Sequence, residues 1–196
     1  MPLKHAILGI LRTQPMSGYE LKTQSFDRTI AHFWTADQAQ IYRTLESLLE
    51  EGRVTEDLIV QHGRPNKKVY RLTPAGEAEL RRWLGSRQED PPLREPFLIQ
   101  VYFGDALPMP QLLEVLREKL KERRLVLAAL QAIPIPEPDA PSLALILQAS
   151  TRDLGVAYER AAIRWLEGLI GKIVNRAAAG ASPRRKQAPS GRRRSR

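Results

Sequence analysis

Residues 33–54 read FWTADQAQIYRTLESLLEEGRV, 55–68 read TEDLIVQHGRPNKK, and 69–72 read VYRL. Ile41, Leu45, Leu48 and Leu49 fall at helical spacing, and Gly52 is a stop for that helix. Residues 54–60 and 68–72 are β-branched and aromatic enough to be strands. Between them lies Gln61-His62-Gly63-Arg64-Pro65-Asn66-Lys67, where Gly63 and Asn66 can take positive φ. A capped helix followed by a basic β-hairpin is the order of elements in a winged helix. There the helix enters the major groove of DNA and the wing touches the backbone.

Upstream, residues 3–12 form a first helix with Ile7, Leu8, Ile10 and Leu11 on its apolar side, and Gln14-Pro15 ends it. Ser17-Gly18-Tyr19-Glu20 matches a capping box for a second helix that runs to about residue 31 and buries Leu21, Phe26 and Ile30. Thr35-Ala36-Asp37-Gln38 is a second such box, opening the third helix. Its face opposite the apolar stripe holds Ala36, Ala39, Gln40, Arg43, Ser47 and Glu50. Thr73-Pro74 starts a fourth helix, which carries Leu80, Trp83 and Leu84 and ends near residue 87.

Residues 88–96 contain Asp90-Pro91-Pro92 and Pro96 and mark a domain boundary. Beyond it the chain is helical. Residues 98–107 are apolar. Residues 111–133 place Leu113, Leu120 and Leu127 seven apart, with Leu116 and Leu130 between them and Arg123 as the one break in a coiled-coil-like seam. The proline-rich 133–141 cannot be helix. Ser142 caps a last helix reaching about residue 178, in which Gly155, Gly168 and Gly171 permit a kink. The expected architecture is mainly α. It comprises a winged helix-turn-helix DNA-binding domain over 1–88, an all-helical dimerisation and effector domain over 89–178, and a basic tail over 179–196 with a disordered composition.

Charge and residue usage bound the chemistry. Of the net +9, the segment 180–196 contributes seven positive charges and no acid, so the rest of the chain carries only +2. There are no cysteines, which excludes disulfides, thiolate metal sites and cysteine nucleophiles. His5, His32 and His62 lack metal-ligand spacing. No clustered Ser/His/Asp set, glycine-rich phosphate loop or carboxylate pair with a histidine points to an enzyme, and no cofactor or metal is implied. Nothing resembles a signal peptide or a membrane span, so the expected location is the cytoplasm with no membrane partner.

Several motifs together resemble one family. AILGILRTQPMSGYELKTQSFD (6–27), with its GYEL step at Gly18 to Leu21, is similar to the opening of PadR-type transcriptional regulators. FWTADQAQIYRTLESLLEEGRV resembles their recognition helix, with Phe33-Trp34, Gln40-Ile41-Tyr42 and Leu45 in place, and GRPNKKVYRLTPAG (63–76) resembles their wing and fourth helix. REPFLIQVYFGDAL (94–107), Tyr158 and Trp165-Leu166 resemble the virulence-activator-like C-terminal domain of that family. The resemblance covers about residues 3–170. It implies a homodimeric repressor or, less often, activator, responsive to a small molecule or other signal. Arg53-Val54 departs from the expected Leu-Ile or Leu-Val and implies weaker core packing, by one side chain, at the junction of helix and wing. The basic tail lies outside the pattern.

Within that fold the third helix, about 36–51, would lie in the major groove of a double-stranded operator, and the wing, 61–68, on its backbone. Gln40 and Arg43 are assigned to base edges, since amide and guanidinium groups bond bidentately to adenine and guanine. Gln38 is either the capping-box glutamine or a base contact. Tyr42, at the edge of the stripe, packs with its hydroxyl toward a phosphate. Glu46, Glu50 and Glu51 repel DNA and belong at the end away from the groove floor. Arg64, Lys67 and Lys68 on the wing are phosphate contacts, as are Tyr19 and Lys22 at the start of the second helix. Trp83, Phe97, Tyr102, Phe103 and Trp165 either line an effector pocket or pack as core. The last helix is expected to pair with that of a second chain and set two wings one helical turn apart. The tail either adds nonspecific DNA affinity, binds RNA or acidic partners, or only aids solubility. A second reading is a winged helix that docks on another protein, which the near-neutral body and the glutamates of the third helix favour.

Overall fold

Ser17 caps the second helix of the chain as expected: its hydroxyl accepts the Glu20 N–H at 3.3 Å, and its own N–H donates to Glu20 Oε2 at 2.9 Å. The computed structural model describes residues 2–60, 66–89, 92, 94–134 and 142–181. They form two compact units, Met1–Arg94 and Glu95–Arg196. The N-terminal unit starts with α1 (Pro2–Leu11). Helix α2 follows as one α-helical turn (Gly18–Glu20) that widens at once into π-helical turns over Leu21–Thr29. The sequence periodicity gives an ordinary helix to about residue 31. Two side-chain hydroxyls bond to carbonyls along these turns, Thr23 donating to Tyr19 O and Thr29 to Gln24 O five residues back.

Helix α3 spans Gln38–Glu50. The box at Thr35 is corrected: Asp37 is the cap, with its carboxylate accepting the Gln40 N–H at 2.7 Å and Gln40 Oε1 accepting the Asp37 N–H at 3.1 Å. Gln38 is therefore not the capping glutamine, and Ala36 is buried in the core, off the exposed face. Ile41, Leu45 and Leu48 are fully buried, as the stripe requires. Gly52 turns the chain with φ 64°, the left-handed conformation a side chain disfavours.

Strands β1 (Val54–Ile59) and β2 (Lys67–Leu72) pair antiparallel in the register Val54↔Leu72 to Ile59↔Lys67. The other edge of β2 is tied to the α1–α2 connection, where Met16 and Tyr70 exchange backbone hydrogen bonds of 3.3 and 2.9 Å. Helix α4 (Pro74–Leu84) starts on the Thr73 cap and stops three residues short of the expected 87. The core gathers Ile7, Leu8, Leu11, Leu21, Phe26, Ile41, Leu45, Leu48, Val54, Tyr70 and Leu80. Val54 is thus packed in the core, whereas Arg53 reaches across to donate to Ala75 O at 2.9 Å. The residues 61–65, and with them Arg64, lie outside the described residues.

The C-terminal unit holds α5 (Pro96–Tyr102), a 3-10 turn (Gly104–Ala106), α6 (Met109–Gln131) and α7 (Leu143–Ala181). Phe97, Leu116 and Leu166 centre its core. In the α6 seam Leu116 and Leu130 are buried and Leu113, Leu120 and Leu127 half-buried. The break at Arg123 is filled by charge: its guanidinium bonds to buried Glu159 at 3.1 Å and to Glu95 at 2.7 Å. Burial disfavours that cation, but the two carboxylates, Glu159 foremost, outweigh it and hold its pKa above the ordinary value. Helix α7 runs unbroken through Gly155, Gly168 and Gly171. At Gly155 the absence of a side chain brings α6 close, since a Cβ there would sit 3.2 Å from Leu130. The proline-rich 135–141 and the basic tail beyond 181 lie outside the described residues.

Candidate nucleic-acid interface

Burial of Ile41, Leu45 and Leu48 turns the opposite side of α3 to solvent. Gln38, Ala39, Gln40, Arg43, Glu46, Ser47 and Glu50 are all exposed. Arg43, in the middle of this face, makes no hydrogen bond or ion pair with any described residue, so all its donors are available. Gln40 commits its carbonyl oxygen to the Asp37 cap, which leaves its amide NH₂ to donate. Gln40 and Arg43 also line one wall of a cleft of about 670 Å³ between α1 and α3, with Leu3, Lys4 and Trp34 opposite. Tyr42 is half-buried: its ring lies over Gly18, where a Cβ would stand 2.7 Å from it. Tyr42 therefore joins α3 to the first turn of α2 through a position that only glycine leaves open. Tyr19, one residue on, is exposed.

Among the described residues, the expected cations of the wing and α2, Lys67, Lys68 and Lys22, each face an acid. Lys67 Nζ is 2.7 Å from Glu20 Oε1, Lys68 Nζ is 3.0 Å from Glu56 Oε1, and Lys22 pairs with Asp27. Arg71 holds Asp57 across the hairpin at 2.6 Å. The pairing of Glu56 and Asp57 on β1 is invisible in the sequence because only the strand register shows which cation each faces. Glu20 has a double role. Burial pushes its carboxyl up, but the Lys67 ammonium and the two Ser17 donors more than offset this and hold its pKa below the ordinary value. It thereby fastens the base of the wing to the start of α2, over a sequence distance of 47 residues.

The five candidate effector residues do not form one cluster. Trp83 stacks on the imidazole of His5 in the N-terminal unit, with centroids 4.5 Å apart and planes at 6°. In the C-terminal unit Phe97 meets Trp165 edge-on at 6.3 Å, and Tyr102 meets Phe103 at 4.9 Å with both rings exposed. Of the five, only Phe97 lines the cleft of about 680 Å³ between α5 and α6, where Lys119 Nζ sits 5.5 Å from its ring centre. Glu95, Glu114, Glu118 and Glu122 share that cleft, so its wall is mainly negative. Among the described residues no cluster of acids and histidines could hold a metal ion, and no helix is long and apolar enough to cross a membrane.

Comparison with known proteins agrees with this geometry. Residues 7–82 match the Transcriptional regulator PadR-like family, and residues 93–173 match Virulence activator alpha C-term. A probable transcriptional regulator of Mycobacterium tuberculosis is 34% identical over 180 residues, covering 85% of this chain and 95% of that protein. The negative transcriptional regulator PadR of Bacillus subtilis is 30% identical over 183 residues, covering 87% and 97%. The crystal structure of that protein in complex with operator DNA aligns with a TM-score of 0.78 at 30% identity, over 88% of this chain and 99% of the other. Its structure in complex with p-coumaric acid aligns at 0.72, with the same identity and coverage. An exposed, capped third helix beside a two-stranded wing, with matches to transcriptional regulators along both halves of the chain, shows that this chain belongs to the PadR-like family of transcriptional regulators.

Proposed function

We propose that the protein is a homodimeric repressor that places α3 in the major groove of its operator and the wing on the flanking backbone, and that a small molecule controls it. The observation that carries the reading is the exposed face of α3. It presents the free guanidinium of Arg43 and the amide of Gln40, in a fold that aligns over 88% of the chain with a PadR bound to operator DNA. Arg43 is proposed for a guanine edge and Gln40, through its NH₂, for an acceptor on a base. Gln38 is released from capping and joins them. Lys22, Lys67, Lys68, Arg64 and Tyr19 are proposed for phosphates, and Tyr42 for one reached by its hydroxyl while its ring stays on Gly18. The unit 1–88 is then the DNA-binding domain and 89–178 the dimerisation and effector domain.

Dimerisation is supported by the apolar residues of α7 that its own chain leaves uncovered, among them Leu143, Ile146, Leu147, Leu154 and Val174. Repression is supported by the 30% identical relative, itself a negative regulator. Effector control is supported by the p-coumaric acid complex of that relative and by the α5–α6 cleft beside Phe97. A reporter behind the promoter of the protein's own operon tests the reading: its output should rise when the gene is removed and fall on its return, whereas the opposite order would mean activation. The ion-paired wing favours a second reading, a protein-docking module. DNA binding indifferent to both Arg43→Ala and Lys67→Ala would select it.

A further inference from the structure

We infer that Glu46 determines part of the sequence specificity of α3, its carboxylate accepting from the N4 amino group of a cytosine next to the base read by Arg43; the inference rests on the DNA-binding reading above. It starts from how the acids of the N-terminal unit are used. Ten acids lie within residues 1–84. Asp37 caps α3 and seven others pair with cations, Glu51 with Lys4 and Glu56 with Lys68 among them. Glu46 and Glu50 are the other two. Both are exposed on α3, and their side chains make no hydrogen bond or ion pair with any described residue.

Position separates the two. Glu50 ends the helix, whereas Glu46 follows Arg43 by three residues, about 4.5 Å along the axis and about 60° round it. Stacked base pairs are about 3.4 Å apart, so side chains at 43 and 46 reach neighbouring pairs. Residues three apart on a helix can also pair with each other, yet Arg43 and Glu46 do not, and both stay open to a ligand. The charge of Glu46 is felt by Lys68 on β2, which places it on the side of α3 toward the wing. Lys68 itself closes on Glu56 at 3.0 Å, and Glu56 is the main cause that holds its pKa above the ordinary value. An unpaired carboxylate is repelled by the phosphates of every duplex, and a donor on a base edge offsets that repulsion. The major groove offers two such donors, adenine N6 and cytosine N4. Adenine sets its N7 acceptor beside N6, where it would face the second carboxylate oxygen. Cytosine has no acceptor of its own on that edge, so a carboxylate selects cytosine. Glu46 thus acts twice, favouring one base and rejecting duplexes that place an acceptor there.

The test selects duplexes from a randomised library with full-length wild type and full-length Glu46→Ala, and then measures affinities by fluorescence anisotropy. Wild type should enrich a motif containing a cytosine at a position where Glu46→Ala accepts other bases. N4-methylcytosine at that position keeps its pairing with guanine but covers the donor with a methyl group. Wild type should then lose about fivefold or more in affinity, and Glu46→Ala less than about twofold. On a shuffled duplex Glu46→Ala should bind a few-fold tighter than wild type, because a repelling charge is gone. The same motif from both proteins, with a uniform gain in affinity for Glu46→Ala, would overturn the inference and leave the reading of α3 intact. A freed position that wild type fills with adenine would overturn the choice of cytosine. No enriched motif with wild type would overturn the reading of α3 and this inference with it.

Discussion

Gly76→Ala should loosen the seat of the wing, and the structure sets the size of the effect. A Cβ at Gly76 would stand 2.1 Å from the carbonyl oxygen of Arg53 and 2.8 Å from Leu72 Cδ1, where ordinary contact begins at 3.4 Å. Helix α4 and the start of β1 must therefore separate by more than 1 Å. The obstructed carbonyl also accepts the Thr73 N–H at 3.1 Å and the Thr73 hydroxyl at 3.0 Å, and that hydroxyl accepts the Gly76 N–H at 3.0 Å. Overpacking of this kind costs about 1–3 kcal/mol, and each broken hydrogen bond adds about 1 kcal/mol. The expected destabilisation is about 3–4 kcal/mol, a large part of the stability of a unit this size. Urea unfolding of the full chain, followed by hydrogen exchange at β1 and β2, should show the wing opening at much lower denaturant. Gly85→Ala is the control. Its Cβ meets Arg81 O at 3.6 Å and its φ is negative, so it should stay within about 1 kcal/mol of wild type. A Gly76→Ala protein with the wild-type midpoint would refute the reasoning.

Other substitutions probe separate parts of the account. Glu20→Gln releases Lys67 from its acid, so operator affinity should rise a few-fold and the salt slope steepen by up to about 1, whereas unchanged binding would mean Lys67 touches no phosphate. Glu79 accepts from buried His5 at 3.0 Å and pairs with Arg82 and Lys4. First the His5 bond and then the cations hold its carboxyl below the ordinary 4.5. Its folded pKa lies below the unfolded one, so the stabilisation is present above about pH 4.5 and is lost as pH falls through the folded value. Melting curves between pH 6 and 3 should converge for wild type and Glu79→Gln at the acid end, and a constant gap across that range would count against the pair. Leu154→Glu places a charge on the uncovered side of α7 and should shift the protein from dimer to monomer in light scattering at micromolar concentration. A dimer retained by this variant would move the interface elsewhere.

How much of this is legible in the sequence depends on whether the deciding contact is local. The α3 stripe, the Ser17 and Thr73 caps and the Gly52 stop are set by residues within a turn of each other, and the structure keeps each in place. The sequence puts the start of α3 two residues early because Thr35 and Asp37 are both good caps. The structure selects Asp37 because Ala36 belongs in the core. The π-helical turns of α2 have no signature at a helical repeat of 100° per residue. The ion pairs of the wing depend on strand register, and Arg123, which reads as a flaw in the seam, is answered by acids 36 and 28 residues away. The candidate aromatics share a residue type but not a location, since the fold sets Trp83 against His5 and Phe97 against Trp165.

The central claim, that the exposed face of α3 reads an operator, is tested most directly through Arg43. Affinities of wild type and Arg43→Ala should be measured by anisotropy on the duplex upstream of the gene's own operon and on a shuffled duplex, at about 150 mM salt. The account predicts that wild type prefers the genuine sequence. Arg43→Ala should lose about 1–3 kcal/mol on that duplex and almost nothing on the shuffled one, so that selectivity collapses. Equal losses on both duplexes, or no loss on either, would contradict it.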